Sequence, residues 1–408
     1  MAALRPFRAL RPLPGKAAQI AAVPYDVVNR DEAVELASGN PLSFLRVSRA
    51  EIELPPDTNP YDASVYARAV ENFGSVRAAM IQEDTPSVYC YRLRMGEHEQ
   101  TGLAATYSVD EYNRDIVKKH EKTRRDKEDD RTRHIIELRA QTGPVFLTYR
   151  HDATVDAIAE RVCAGAPLYD IVAPDGITHT LWRADEAATR ALVEAFGALP
   201  ALYIADGHHR AASAARAHER FRGATGASGP DAEHAWFLAV AFPDNQTQIL
   251  PYNRVVKDLA GKTPGQFMDA VRQRFTVEPG GATPARKGVC QMYLGGQWHT
   301  IVLRPAGAPV PADPIASLDV SLLQDGVLAP LLGVLDPRTD KRIDFVGGIR
   351  GTGELERLVS GGSAAVAFSM HPVTVAELMA IADAGAIMPP KSTWFEPKLR
   401  DGLVNHMI

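Results

Sequence analysis

The chain has 408 residues, of which 45% are hydrophobic, and its formal net charge is −5. That length predicts two or three domains with ample material for a buried core, and the negative charge argues against general nucleic-acid binding. Its three cysteines stand far apart without a Cys-x-x-Cys pair, which argues against structural zinc and a disulfide framework. Since no apolar run suits a signal peptide or a membrane span, we expect a cytoplasmic protein.

Apolar periodicity along the first two thirds of the chain predicts alternating helices and strands. Asn29 precedes one helical pattern, and Asp185 precedes another that Gly197 ends. Runs rich in β-forming residues predict strands, two of which form a hairpin around Gly96. The predicted helices are 61–83, 154–162 and 185–197, and the predicted strands are 44–54, 87–95, 97–109, 144–149, 201–205 and 235–242.

The last third, from about residue 258, has the pattern of a second unit. Its predicted elements are a helix that ends near Phe275, a hairpin that turns at Gly295-Gly296, a helix over 317–332 and a capped helix over 374–385. The irregular alternation of strands and helices predicts an α/β or α+β fold. We therefore expect two domains, 1–257 and 258–408.

The stretch YIADGHHRAASAARAHER, residues 203–220, places an apolar strand, a turn at Gly207 and an Ala-rich helix in direct succession. The first N–H groups of a helix have no intrahelical acceptor and lie at the positive end of its dipole, so they bind phosphate well. Gly207 lets a ligand approach the backbone, and Arg210 can hold phosphate oxygens bidentately. His208 and His209 can donate hydrogen bonds or a proton.

Two other interpretations of this turn stay open. Asp206 is also suited to cap the helix, with His208 and His209 as ordinary polar residues of its first turn. Two histidines also suggest a metal, but adjacent helical side chains point about 100° apart, whereas paired ligands usually lie at i, i+4. We therefore assign no metal ligand.

A charged run, KKHEKTRRDKEDDRTRH (118–134), contains eight Lys or Arg, five Asp or Glu and no apolar residue. One interpretation is a solvated loop. The other is part of a phosphotransfer site, because cations stabilise phosphates and carboxylates bind Mg²⁺ or act as a general base. His120-Glu121 does not begin a zinc-protease motif, since Arg124 stands where the second histidine would be.

Two proline-containing segments carry further candidates. MPPKSTWFEPK (388–398) presents a lysine and two hydroxyls after two prolines that hold the approach extended, a combination that suits an anion. AAVPYDVV (21–28) presents Tyr25 and Asp26. Asp26 is either a site residue or a residue that makes an Asx turn.

The Asp-Gly-His-His-Arg string at 206–210 resembles the phosphate-binding box of the ParB/sulfiredoxin superfamily, and it matches the form found in archaeal free-serine kinases at all five positions. The chain as a whole resembles a bacterial and archaeal family known only as a domain of unknown function. The first matching stretch departs from that family's Pro-Pro-Tyr-Asp by carrying Val23. The matching stretches are 21–28, 40–47, 119–131, 203–210 and 388–403.

The resemblance implies a ParB/sulfiredoxin-like nucleotide-binding core over 1–257 and a C-terminal α/β unit over 258–408 that contributes a Lys-Ser-Thr segment to the site. It implies a small-molecule phosphotransferase, a nucleotide-dependent kinase with ATP or ADP as cofactor and Mg²⁺ bridging phosphate oxygens. The implied substrate is a hydroxylated metabolite such as free L-serine. The carboxylate of Glu121, or in second place that of Asp206, would take the proton from the attacking hydroxyl.

The remaining roles follow from the same resemblance. His208 and His209 would serve both catalysis and phosphate binding. The implied phosphate-binding residues are Gly207, His208, His209, Arg210 and Arg131, and the implied substrate-binding residues are Tyr25, Asp26, His120, Thr123, Lys391, Ser392 and Thr393.

Two other functions fit the same residues. One is a phosphatase that acts on a phosphorylated metabolite such as phosphoserine, with His208 or His209 as nucleophile or acid. The other is a non-catalytic, ParB-like nucleotide-binding switch. ParB proteins carry a basic pair of helices for DNA, which this chain lacks, so we expect neither a nucleic-acid nor a membrane partner. Whether the chain forms a homodimer stays open.

Overall fold

The computed structural model describes residues 2–226, 229–309 and 311–408. These residues form two compact units, of which one runs up to Thr247 and also takes in Pro397–Ile408, and the other is Gln248–Glu396. The predicted mixed α/β class is confirmed. The unit bounds differ from the predicted 1–257 and 258–408, because the chain returns to the first unit after Glu396.

The first unit contains a mixed sheet of parallel and antiparallel strands. The strands of this unit are β1 (Leu4–Arg5), β2 (Ala9–Pro12), β3 (Met80–Gln82), β4 (Tyr89–Met95), β5 (His98–Ser108), β6 (Val117–Lys118), β7 (Ala140–Gln141), β8 (Val145–Tyr149), β9 (Tyr169–Val172), β10 (Thr178–Arg183), β11 (Leu202–Asp206) and β12 (Trp236–Pro243). The main sheet has the order β6–β11–β8–β12–β5–β4–β10–β9, and β1 also pairs with β5.

Strand β11 lies between two different neighbours, since it runs parallel to β6 and antiparallel to β8. Its register against β8 shifts between Ile204 and Asp206. An irregularity of this kind bends a strand and turns the next side chain in a new direction. The shift therefore sets the direction in which Asp206 leaves the sheet.

Helices cover this sheet and enclose its core. The helices of the first unit are α1 (Ala17–Ile20), α2 (Arg30–Ala37), α3 (Leu45–Ser48), α4 (Ala63–Arg77), α5 (Val109–Asn113), α6 (Arg125–Leu138), α7 (Ala153–Cys163), α8 (Glu186–Phe196) and α9 (His208–Thr225). Fully buried rings fill the core, with the ring centroid of Phe196 5.2 Å from that of Tyr149 and 5.9 Å from that of Tyr107. In the described parts of the chain, no helix has both the length and the apolar character needed to cross a membrane.

The end of the chain completes a second, smaller sheet in the first unit. A last strand, Asn405–Met407, pairs with both β2 and β7, so that the order is β3–β2, the last strand and then β7. The Asn405 side-chain amide also donates to the Leu10 carbonyl at 2.9 Å. This pairing explains why residues 397–408 belong to the first unit.

The second unit is built around its own antiparallel sheet. Its strands are β13 (Ile249–Leu250), β14 (Tyr252–Val256), β15 (Thr276–Pro279), β16 (Val289–Leu294), β17 (Gln297–Val302), β18 (Ile343–Gly347), β19 (Val366–Ser369) and β20 (Trp394–Phe395), which makes the last strand of the chain β21. Its helices are α10 (Pro264–Arg272), α11 (Asp319–Leu323), α12 (Ala329–Leu332), α13 (Gly353–Ser360) and α14 (Val375–Asp383). The sheet order is β15–β17–β16–β19–β14–β18, and β13 pairs with β20.

The predicted strand 44–54 is wrong, the predicted helix 61–83 is confirmed except for its C-terminal end, and the other predicted helices and strands are confirmed to within a few residues. Residues 44–54 form α3 and a 3₁₀ turn rather than a strand. There the Arg46 guanidinium donates to the Ala37 carbonyl at 3.0 Å, a local contact that the strand-like composition does not reveal. The predicted helix 61–83 ends at Arg77, because residues 80–82 pair with β2 as a strand.

Candidate functional site

The 206–210 turn joins the end of β11 to the start of α9. Gly207 lies between them with φ 90° and ψ 30°, a left-handed conformation that favours glycine. A β-carbon at this position would lie 3.4 Å from both the Val145 Cα and the Arg210 Cδ. Within the described chain, no side chain caps this helix start, so its first N–H groups stay available to a ligand.

Asp206 does not cap α9, so the capping interpretation of this residue is wrong. It is the last residue of β11, and its Oδ2 accepts from the Lys398 ammonium at 3.1 Å. Burial opposes ionisation, but the charges of Lys398 and Arg210 hold the pKa of Asp206 well below its usual range. Asp206 is therefore an ionised carboxylate beside the helix start.

His208 is buried against His120, with ring centroids 4.4 Å apart and planes perpendicular. Its Nε2 accepts from the His120 backbone N–H at 3.4 Å, and its Nδ1 lies 3.8 Å from the Glu121 carboxylate. Burial lowers the pKa of His208, and burial lowers that of His120 to about 4. Both rings are therefore neutral at pH 7.

His209 connects the turn to the charged run. Its Nε2 accepts from the Arg124 backbone N–H at 3.0 Å, just before α6 begins. A backbone N–H can only donate, so Nε2 is unprotonated and the ring proton lies on Nδ1. Burial also lowers the pKa of His209, which makes this ring a neutral donor.

Arg210 is 7% exposed and its guanidinium already has protein partners. Nη2 donates to both carboxylate oxygens of Asp26, at 2.8 and 3.1 Å, and Nη1 donates to the Pro144 carbonyl at 3.0 Å. The predicted phosphate contact of Arg210 stays a prediction. The structure shows the residue holding Asp26, whose side chain is 36% exposed, beside the turn.

Tyr25 lies between two arginines. The Arg131 guanidinium carbon is 4.3 Å from its ring centroid and that of Arg210 is 5.7 Å away. Arg131 also pairs with Asp130 at 2.7 Å and donates to the Ser48 carbonyl at 3.1 Å. Tyr25 and Asp26 are thus fixed by the charged run as well as by α9.

The charged run is largely helical rather than a loop. Residues 125–134 form the first part of α6, where Asp130 is buried and accepts from the Tyr66 hydroxyl at 2.8 Å. The Thr123 hydroxyl donates to the Glu128 carboxylate. Glu121 is half exposed and lies before the helix, beside His208.

A small cavity of the first unit is lined in part by Arg210. Its volume is about 40 Å³, and Ser48, Arg210 and Asp401 are among the residues that line it. One polar atom of each, Ser48 Oγ, Arg210 Nε and Asp401 Oδ1, is buried without a hydrogen-bond partner in the described residues. Because buried polar groups need partners and one water needs about 10–15 Å³, this space suits two or three ordered waters.

The structure brings the predicted residues of the first unit together around the turn. Lys391, Ser392 and Thr393 belong to the second unit, where the Ser392 hydroxyl donates to the Pro389 carbonyl at 2.7 Å. Their part in the site stays a prediction. No group of three or more metal-ligating side chains lies together in the residues that the structure describes.

Sequence reasoning missed two residues of the site, Lys398 and Asp401. Both lie within the matching stretch 388–403, whose predicted site residues are Lys391, Ser392 and Thr393. Lys398 contacts Asp206, and Asp401 lines the cavity beside Arg210. The charged sequence EPKLRD was the available sign that this segment bears on a polar site.

Residues 4–321 match the family model described as a protein of unknown function, DUF1015. The chain belongs to this family. The predicted membership of an uncharacterised family is thereby confirmed. No curated protein matches the chain.

Three solved structures share a weak similarity with the chain. A free serine kinase in complex with AMP is 11% identical, with 74% of this chain and 91% of that chain covered and a TM-score of 0.36. A conserved hypothetical protein from Pyrococcus furiosus is 14% identical, with 74% and 94% covered and a TM-score of 0.35. C-terminally truncated SbnI from Staphylococcus aureus is 13% identical, with 73% and 85% covered and a TM-score of 0.37.

Gly207→Ala should destabilise the protein by roughly 1–3 kcal/mol, because alanine at a positive φ is strained. Gly74→Ala is the matched control, since Gly74 lies inside α4 with open space around it and should gain about 1 kcal/mol of helix propensity. Urea unfolding of both variants measures the difference. Equal stability of the two would contradict the strained geometry assigned to the turn.

Asp401→Asn should remove part of the pH dependence of stability. Burial raises the pKa of Asp401 to about 7, so between about pH 4 and 7 the folded state keeps a proton that the unfolded state releases. As the pH rises through this window, the free energy of unfolding of the unmodified protein should therefore fall, relative to that of the variant, by about 1.4 kcal/mol per pH unit.

Urea unfolding at several pH values measures this difference, and Asp57→Asn, at an exposed carboxyl, is the control that should follow the unmodified protein. If the free energies of unfolding of the unmodified protein and of Asp401→Asn change in parallel with pH, Asp401 ionises in the folded protein as it does in water.

Proposed function

We propose that the chain is a nucleotide-dependent small-molecule kinase whose 206–210 turn holds the phosphates of ATP or ADP. The observation that carries this proposal is the start of α9, where Gly207 leaves the first helical N–H groups without a side-chain cap. Such a helix start, with its positive dipole end, favours the binding of phosphate, which supports the proposal. The ammonium of Lys398 adds positive charge next to it.

His208 and His209 would donate hydrogen bonds to the phosphates as neutral rings. In each ring Nε2 accepts from a backbone N–H, which leaves the proton on Nδ1. A histidine nucleophile needs a free lone pair, and here the lone pair on Nε2 is occupied. This arrangement supports a kinase over a phosphatase that works through a phosphohistidine.

Glu121 is the better candidate for the general base. Its half-exposed carboxylate lies 3.8 Å from the His208 Nδ1 at the edge of the turn. Asp206, the second candidate, is held ionised by Lys398 and Arg210, and a carboxylate with a lowered pKa is a weaker base. Glu121 would take the substrate hydroxyl proton while the new O–P bond forms and the bond to the bridging oxygen of the nucleotide breaks.

The charge that develops on the leaving nucleotide needs compensation. When bound, Mg²⁺ would supply positive charge to the phosphates, and the ionised Asp206 is the carboxylate that would hold the ion at the turn. Lys398 would neutralise a further oxygen. Arg210 would act by keeping Asp26 in place.

The proposed substrate is a hydroxylated metabolite such as free L-serine, which follows from the sequence resemblance. The carboxylate of Asp26 supports an amino acid, because it is partly exposed beside the turn and can pair with an ammonium group. Tyr25 would form a wall of the same subsite. His120, Thr123 and the 391–393 segment remain proposed substrate-binding residues.

Purified protein should transfer phosphate from ATP or ADP to a member of a panel of amino acids and sugars. His209→Ala and Arg210→Ala should each lower that rate by about 10²-fold or more, because the first removes a donor to the phosphates and the second releases Asp26, the proposed partner of the substrate. Arg222→Ala is the matched control on α9, since its exposed side chain pairs with Glu219 three residues away. Phosphate transfer is followed by ³¹P NMR.

Three results would change the proposal. Transfer that survives both substitutions would exclude the 206–210 turn. Phosphate release from phosphoserine without nucleotide would favour the phosphatase. Binding of nucleotide with no turnover of any compound would favour the ParB-like switch.

Glu121→Gln should lower kcat by roughly 10²–10⁴-fold while nucleotide affinity stays within about twofold, because only the proton acceptor is lost. Glu137→Gln, at an exposed carboxylate on α6, should leave both quantities unchanged. Steady-state kinetics and calorimetry measure the two quantities separately. An unchanged kcat would transfer the role of base to another group.

A further inference from the structure

The second unit contains a cavity that the proposed function does not use. Its volume is about 360 Å³, within the range of small-molecule pockets. Most of its lining is apolar and includes Leu328, Ile343 and Phe345. Arg254 is the buried cation among the lining residues.

Arg254 lies on β14 and is 4% exposed. Its guanidinium donates to the carbonyls of Tyr252 and Lys391, the latter at 3.0 Å, and its carbon lies 5.5 Å from the ring centroid of Phe345. Over the residues that the structure describes, it makes no ion pair with a carboxylate. Burial lowers the pKa of Arg254 to about 10, which reflects a charge removed from water without an opposite charge beside it.

A buried charge without a counter-charge costs free energy, and folded proteins almost always pair it. Arg210, which is buried to a similar degree, has Asp26 at 2.8 Å. Arg254 has two neutral carbonyls instead. Such an arrangement persists where a ligand supplies the missing charge.

The other charges of the cavity do not fill this role. Arg338 and Asp336 bind each other, with Nε to Oδ1 at 2.9 Å and Nη2 to Oδ2 at 2.8 Å. Each therefore already has an opposite charge. The uncompensated charge of the cavity belongs to Arg254.

We propose that this cavity binds a small organic anion, with its carboxylate or phosphate group on the Arg254 guanidinium and its apolar body against Leu328, Ile343 and Phe345. A guanidinium holds either anionic group through paired N–H donors. The apolar walls exclude water and strengthen that contact. The site is independent of the proposed kinase reaction.

The test uses the full chain and four probes in saturation-transfer NMR and calorimetry. Benzoate and phenyl phosphate carry the anion and an apolar body, benzamide lacks the charge and inorganic phosphate lacks the body. Benzoate or phenyl phosphate should bind at least about tenfold more tightly than both controls. Benzamide loses the charge-assisted contact, which is worth that much, and inorganic phosphate loses the burial of the apolar body. The tighter of the two identifies the anionic group.

Arg254→Met should weaken binding of the tighter probe at least about tenfold. The matched control is Arg286→Met, at an exposed arginine of the same unit, and it should bind as the unmodified protein does. If Arg254→Met fails to fold, Leu335→Glu replaces it. Leu335 is 81% exposed on the cavity lining, so the new carboxylate should repel the anion, whereas Leu335→Gln should not.

Four outcomes would overturn the site. They are no binding of either organic anion by the unmodified protein, equal affinity for the tighter anion and benzamide, unchanged affinity in a folded Arg254→Met, and equal affinity in Leu335→Glu and Leu335→Gln.

Discussion

A guanidinium that folding removes from water needs a counter-charge, and Arg210 finds one in Asp26, 184 residues earlier in the chain. Removing Asp26 would leave the charge of the buried Arg210 uncompensated, which costs several kcal/mol. The pair therefore holds the loop at Tyr25 against the start of α9. The Arg131 guanidinium also lies against the Tyr25 ring, so that distant segments of the chain meet at one turn.

The order of strand, glycine and helix at 203–220 could be predicted from the sequence because its causes are local. A buried strand, a residue that tolerates positive φ and an Ala-rich run each leave a mark in neighbouring residues. The residues that contact the turn from distant parts of the chain are not indicated by any such local pattern. Lys398 meets Asp206 across 192 residues, and pairings between distant segments, those of β21 with β2 and β7 and the Ala22–Asp401 bridge, bring that segment back.

The charged run shows why composition alone misjudges a segment. Thirteen charges among residues 118–134 predict a solvated surface, yet Asp130 is buried and Arg131 is nearly so. Each charge that is buried there has a partner within hydrogen-bond distance, Tyr66 for Asp130 and the Ser48 carbonyl for Arg131. Those partners come from α4 and α3, and the second of these helices was itself predicted as a strand.

The late position of β21 has a consequence for how the protein is made. While the second unit is still being translated, the residues up to and including the 206–210 turn have already left the ribosome. Domains generally fold as units during synthesis, but here Lys398, Asp401 and β21 arrive only after residue 396. Until then Asp206 lacks its cation and the small sheet lacks a strand. The contacts of this turn are thus completed only after residues 397–408 have been synthesised, rather than with the synthesis of the turn itself.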